Sequence, residues 1–359
     1  MKSSLLELFR LLTSVPTAPY CEQAVALKAL EWSRRHLGPR VKIRRCLGGL
    51  VLSYRGAGKG QALALAAHLD HPAFRLSRVE TPAALARLRG GLPRHLLEGC
   101  SVEAFPEKPK GNVPLARGVL GAARKDGDYP VRWLEAPRGR PAFAVLALTP
   151  CSLEGKWLLS RSIDDLLGCA ISLEALRLVS SSRAKTNLSV LLHRAEEVGF
   201  VGALDLIRAG KVSLEDSIIS VETSRELPGA RPGKGPVIRL GDKACLFDPN
   251  LTALLDEAAS RLRKRGLRTQ RRRLTGGTCE ATAYLAFGYE AGGVAVPLVN
   301  YHNGWGAKAV APEKVRIDDA QACVSLLVEA ARLFPGRTLR GALRRRLEQR
   351  HSESQVLLA

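Results

Sequence analysis

Apolar and polar positions change their rhythm twice along this chain of 359 residues. In the first stretch, Leu5, Leu8, Leu11 and Leu12 recur at helical spacing, Pro16 and Pro19 break the pattern, and a second helix is expected from Glu22. Residues 41–54 and 62–69 then read as strands on either side of the glycine-bearing turn 56–60. The second is a nearly continuous apolar run, as expected of a strand buried on both faces. From 72 to 159 the rhythm shortens into proline-rich, basic segments with brief alternation at 113–123 and 142–148, which predicts an inserted, β-rich small domain. Beyond it, helices are expected at 164–179, 199–209, 251–265, 281–286 and 317–333, and strands at 188–192, 217–221 and 293–297. This alternation predicts an α/β fold, a mixed sheet flanked by helices. The main body is read as 1–71 with 160–351, the insert as 72–159, and 352–359 as a frayed tail.

Composition adds exclusions and one oddity. With 46% hydrophobic and 25% charged residues the chain has the make-up of a globular protein, not of a disordered one. Its eight cysteines form no CxxC pair, so they read as reduced core thiols and not as a zinc knuckle or disulfide framework. Glu7 and Arg10 interrupt the apolar run near the start before it could act as a signal segment. No stretch approaches the roughly 20 apolar residues that span a bilayer. Cytoplasmic localisation without membrane contact is the default expectation. The oddity is a net charge of +21, with arginine concentrated in RLRKRGLRTQRRR (261–273) and RTLRGALRRRLEQR (337–350). A phosphate-binding surface is the sharper reading of these runs. A solvated basic face is the commoner use of such runs, and aromatics at 5% are too sparse for a base-stacking platform. The balance is against a nucleic-acid partner.

The candidate chemistry lies where strands end. Taken singly, each residue has a plain structural use. His68-Leu69-Asp70 could be a surface pair, Asp164-Asp165 an N-cap and first-turn acid, Glu196-Glu197 a solvated pair before a helix, and His302 a loop histidine. Their placement alters the balance, because residues 62–67 run into His68, 188–192 into His193 and the two glutamates, 217–221 into Glu222, and 293–297 toward Tyr301-His302. In open α/β sheets that edge is where ligands gather. Hydrolysis at two metals about 3.5–4 Å apart needs a bridging carboxylate, further carboxylates, neutral imidazoles, and a free carboxylate to accept a proton from water.

Read in order, AAHLDHP, SIDDLLGC, HRAEEVGFVGA, SVET, GGTCEA and NYHNG resemble the co-catalytic zinc metallopeptidase clan. Within it the chain resembles the M42 glutamyl aminopeptidase family above its M20 and M28 relatives, since the insert falls between the His-x-Asp and the aspartate at 164. HRAEEVGFVGA is the most specific piece. The resemblance implies two divalent ions per chain, zinc by family habit, with cobalt or manganese also compatible with such ligands. It implies His68 and Glu222 on one ion, Glu197 and His302 on the other, Asp164 bridging, Asp70 orienting His68, and Glu196 as general base. It further implies an aminopeptidase acting on peptides and assembling as a homo-oligomer. The sequence departs from the M42 pattern at Glu222, where aspartate is usual, at His71-Pro72, and at Gly277-Thr278-Cys279-Glu280, which is as similar to the M20 motif. A carboxypeptidase or N-acyl amino acid deacylase of the same clan is the alternative, and a basic nucleic-acid-associated protein with a relict site is the third reading.

Overall fold

The computed structural model describes residues 2–306, 308–335 and 339–355. The chain opens with helices α1 (Lys2–Leu12) and α2 (Gln23–His36) and strands β1 (Val41–Cys46), β2 (Gly49–Arg55) and β3 (Leu63–His68). Strands β4 (Ala73–Ser77), β5 (Ala83–Arg89), β6 (Ser101–Phe105), β7 (Ala116–Leu120), β8 (Asp128–Trp133) and β9 (Phe143–Leu146) follow. Next come β10 (Ser152–Glu154), β11 (Trp157–Ser160), α3 (Ile163–Ser181), β12 (Asn187–His193), α4 (Val201–Arg208), β13 (Ser217–Arg225), β14 (Val237–Arg239) and α5 (Pro249–Arg263). The remainder is β15 (Gln270–Arg272), α6 (Glu280–Ala286), β16 (Ala291–Leu298), β17 (Gly304–Trp305), β18 (Ala309–Val310), β19 (Glu313–Arg316), α7 (Ile317–Leu333) and α8 (Leu339–Ser354).

An eight-stranded mixed sheet in the order β1-β2-β12-β3-β13-β16-β14-β15 forms the centre. The middle strands β12, β3, β13 and β16 are parallel, and β2 and β14 flank them antiparallel. These strands are buried along their length, which is why they read as apolar runs and not as alternation. One face of the sheet packs on α1, α2, α3, α5 and α7 in a single large core, with Leu65, Leu167, Val190 and Leu327 all buried. The other face is closed by residues of α4 and α6, including Ala203, Leu206 and Tyr284. Helix α3 is apolar almost all round and buried on nearly every side, as a helix wedged between sheet and α7 must be.

Strands β4 to β9 close into a six-stranded barrel with its own core around Phe74, Val102, Tyr129 and Val131. β10 and β11, which the sequence placed with the insert, form instead a separate three-stranded sheet in which β11 pairs with both β10 and β19. The segment 41–54, read as one strand, is a hairpin that turns at Leu47-Gly48. At the C-terminus, α8 carries the chain through Ser354, past the expected onset of fraying at Ser352; residues 356–359 of that tail, and 336–338 at the start of the second arginine run, lie outside the described residues. Among the described residues no helix is long and apolar enough to cross a membrane.

Strand β3 sits between β12, which follows it in the chain, and β13, which lies on its other side. The chain crosses over β3 to reach β13, and the carboxyl ends at such a reversal leave a crevice. The candidate residues converge there.

Candidate metal centre

Each candidate ligand is placed by a strand end or by the turn that follows one. His68 is the last residue of β3, and Glu222 projects from β13 just beyond its pairing with β3. Glu196 and Glu197 follow β12 through a turn with Ala195 at φ 52°, Gly199 at φ 111° and Phe200 at φ 59°. Only glycine adopts the Gly199 conformation without strain. Gly202, later in the same motif, faces the carbonyl oxygens of Arg194 and Gly48 so closely that a Cβ would lie 2.4 Å from each. Asp164 and Asp165 fall at the start of α3 but have non-helical backbones. Their carboxylates therefore part: Asp164 faces the crevice, while Asp165 lies under the sheet and accepts the His68 backbone N–H at 3.4 Å. The first-turn acid expected of a helix terminus is not their use here.

The side chains form three overlapping groups of three, one of them His68, Glu196 and Glu197 and the other two sharing Asp164. His68, Asp164 and Glu222 have ligand atoms within 4.8 Å of one another, and so do Asp164, Glu197 and His302; Asp164 belongs to both. His68 Nε2 is 3.6 Å from Asp164 Oδ1, and His302 Nε2 is 3.5 Å from Asp164 Oδ2 and 3.1 Å from Glu197 Oε1. Each imidazole gives its Nδ1 proton to a backbone carbonyl, His68 to Asp70 at 3.1 Å and His302 to Gly91 at 3.0 Å. Nε2 is thus the nitrogen left to face a cation.

Three observations show that this donor set fits metal ions. Asp164 Oδ1, Glu197 Oε1 and His302 Nε2 are buried without a hydrogen-bond partner, a costly state for a polar atom unless something else binds it. Carboxylates dominate: Asp70, Asp164, Asp165, Glu222, Glu280 and Glu313 are buried, and the Glu196 and Glu197 side chains are only 10% and 8% exposed. The Arg239 guanidinium is a buried cation near Glu222, too little to balance them. The proton affinities reflect the same imbalance. Burial pushes the Glu196, Glu222 and Asp165 carboxyls well above the usual carboxylate range, and Glu280 adds to it for Glu222. Burial would depress both imidazoles, but Glu196 beside His68 and Glu197 beside His302 raise them well above the usual value.

Apart from Asp70, which the resemblance implied, the sequence did not single out the groups that hold the ligands in place. The Asp70 carboxylate accepts the backbone N–H of Glu196 at 2.9 Å and of Glu197 at 3.1 Å; it lies 3.6 Å from His68 Nδ1, whose own hydrogen bond goes to the Asp70 carbonyl. Buried Glu22 accepts the N–H of Ala195 at 3.0 Å and the Arg194 Nε at 2.8 Å, anchoring the same turn. Ser220 Oγ donates to Glu222 Oε1 at 2.7 Å and lies 3.3 Å from Glu280 Oε2. Glu280 in turn faces His193 at 3.2 Å, so the glutamate of GGTCEA supports the site from behind. His71 Nδ1 donates to the Asp164 carbonyl and its Nε2 meets Asn303 Oδ1 at 3.0 Å. The barrel takes part through Gly91, whose carbonyl fixes His302 and whose missing Cβ leaves room for the imidazole. Beside the triads a crevice is lined by Arg225, Arg239, Leu227, Leu274, Tyr301 and Thr278, with Arg225 lying 5.0 Å over the Tyr301 ring.

Comparison with known proteins supplies a family and a fold. A family model described as M42 glutamyl aminopeptidase matches residues 142–326, more than half of the chain. A sequence relative from Acetivibrio thermocellus, whose own name proposes an aminopeptidase, is 23% identical over 306 residues, 79% of this chain and 86% of that one. Among solved structures, a TET aminopeptidase from the archaeon Thaumarchaeota archaeon SCGC AB-539-E09 superimposes with a TM-score of 0.77 at 15% identity, covering 92% of this chain and 97% of that chain. The Pyrococcus horikoshii TET1 peptidase, described as assembling into a tetrahedron or a large octahedral shell, gives 0.72 at 21% identity over 91% of this chain and 99% of its own. At these identities the solved structures establish agreement in fold.

Proposed function

This chain belongs to the M42 glutamyl aminopeptidase family and is an aminopeptidase, and from that premise we propose that it removes N-terminal residues from peptides at two divalent metal ions. His68, Asp164 and Glu222 would hold one ion, and Asp164, Glu197 and His302 the other. The observation that carries this reading is the pair of triads sharing Asp164. Bound there, the ions would polarise the scissile carbonyl and make water a nucleophile near neutral pH. Imidazole and carboxylate ligands suit zinc, with cobalt and manganese as substitutes.

The chain's own residues do the rest. Glu196 is held by its backbone to Asp70, and its Oε2 lies 3.8 Å from His68 Nε2, at the edge of both triads. It takes the proton from the attacking water and returns it to the leaving amine. Glu197, held by the same carboxylate, is thereby kept in register as a ligand. The adjoining crevice would seat the first side chain of the peptide. Arg225 and Arg239 line it, and Arg272 and Arg273 lead directly into its wall at Leu274, so it favours acidic side chains by charge.

Oligomeric assembly is proposed by analogy with the TET1 peptidase. The barrel is proposed as a separately folded module that shapes access and positions His302 without supplying a ligand side chain. The free state of all eight cysteines supports a reducing, cytoplasmic setting.

The test is a panel of aminoacyl arylamides set against N-acyl amino acids, with the metal content of the purified protein measured in parallel. Hydrolysis confined to substrates with a free amino terminus, with two ions per chain, is the expected result. Hydrolysis of N-acyl amino acids alone would move the chain to the deacylase reading.

A further inference from the structure

Glu313 begins β19 and is completely buried. Its carboxylate reaches two separate parts of the candidate centre. Oε2 accepts the backbone N–H of Ile163 at 2.8 Å and of Asp164 at 3.0 Å, and Oε1 accepts the N–H of His302 at 2.9 Å. Asp164 lies at the start of α3 and His302 in a turn after β16, 138 residues further along the chain. One carboxylate therefore spans the two backbones that carry neighbouring ligands.

The turn it holds is under backbone strain. Asn300, His302 and Asn303 have φ of 60°, 51° and 62°, the left-handed region that residues with a Cβ seldom occupy. Such a turn persists only where its surroundings over-determine it. Glu313 supplies part of that constraint at His302 itself; the Asn300 side chain, donating to the Pro312 carbonyl at 2.9 Å, and the Gly91 carbonyl on the His302 ring supply more. His68 and Glu222 are different. They stand on β3 and β13, strands locked into the central sheet, and Glu313 touches neither.

We propose that Glu313 is a positioning residue which sets the separation of Asp164 and His302, and so governs chiefly the ion held by Asp164, Glu197 and His302, whose triad contains both ends of the span, and to a lesser degree the other ion, whose triad shares only Asp164 with it. The inference rests on the two-ion reading above. Glutamine at this position would turn an N–H donor toward one of the backbone donors, and aspartate is too short to reach both. Either change should release one side of the span.

The experiment titrates metal-free full-length protein with zinc against a chromophoric chelator. Wild type should take up two equivalents. Glu313→Gln and Glu313→Asp should bind the second equivalent about 10- to 100-fold more weakly and the first with a clearly smaller loss. Asp319→Asn is the comparison for a purely structural loss, because Asp319 accepts the Gly233 and Gly235 N–H groups of a loop outside the triads. It should lower the melting temperature and leave both equivalents intact. A folded Glu313 variant that binds both equivalents with wild-type affinity overturns the inference, and so does an Asp319→Asn variant that weakens the second equivalent equally. If Glu313→Gln does not fold, Glu313→Asp, which keeps the charge and one side of the span, decides by the same criterion. Wild type taking up fewer than two equivalents would overturn the two-ion reading, and this inference with it.

Discussion

Replacing Glu196 by glutamine separates proton transfer from metal binding at a single pair of atoms. The side chain keeps its size and loses its ability to accept a proton. Its backbone N–H remains tied to Asp70 at 2.9 Å, so the glutamine would leave the backbone at the same point and in the same direction. The nearest ionic partner of the carboxylate is His68 Nε2, at 3.8 Å, longer than a hydrogen bond. Little binding energy is therefore lost with the charge, and both ions should remain. A positioned general base is worth about 10²- to 10⁴-fold, which at about 1.4 kcal/mol per decade is a barrier increase of about 3–5 kcal/mol. Release of arylamine from an aminoacyl arylamide should fall by that factor, while metal content and the affinity of a competitive inhibitor stay near wild type. Glu197→Gln should show the reverse order of effects, since Glu197 Oε1 lies 3.1 Å from His302 Nε2 within the second triad. His68, Glu196 and Glu197 also come within 4.8 Å of one another, so measured metal content is what distinguishes the two glutamates. Loss of an ion from Glu196→Gln with full retention in Glu197→Gln would refute the assignment of base and ligand.

Removing metal with a chelator should abolish hydrolysis, and added zinc or cobalt should restore it; Asp164→Ala, the residue common to both triads, should fail to recover either ion, as read by elemental analysis. Gly91→Ala would place a Cβ 2.9 Å from His302 Nδ1. With no left-handed backbone at that position to add strain, the variant should fold and bind the second equivalent of zinc about 10- to 100-fold more weakly, an effect that unchanged titration would disprove. Arg225→Ala should reduce the preference for acidic over neutral N-terminal residues by about 10-fold, the worth of one charge-assisted hydrogen bond. Equal kcat/KM for acidic and neutral arylamides in wild type, insensitive to salt, would remove the crevice arginines from specificity.

The α/β architecture and the ligand types are written in local sequence. Buried parallel strands must be apolar along their length, so residues 62–67 and 188–192 announce themselves. The crevice lies at their carboxyl ends, so His68 and the pair Glu196-Glu197 come soon after those runs, as Glu222 comes after 217–221. The motif HRAEEVGFVGA is legible for a related reason, since the tight turn after β12 demands glycine at 199 and leaves no room for a Cβ at 202. Those requirements are local and leave a local trace. The supports of the site leave none. Glu313 is one acid in a short strand, Gly91 one glycine in a proline-flanked loop, and Glu22 a helix-start residue by every local measure. Each acts on a partner more than ten residues away, Glu22 on Ala195, Gly91 on His302, and Glu313 on both Asp164 and His302. Which backbone N–H a buried carboxylate meets depends on how distant segments pack, and a single sequence does not record that. The same holds for Asp164 and Asp165, whose adjacency suggests a shared task until the non-helical start of α3 sends one carboxylate to the crevice and the other beneath β3. Residue chemistry and strand burial were thus set by sequence, whereas the distances that turn acids and imidazoles into two triads were decided only by the packing of strands and turns brought together from across the chain.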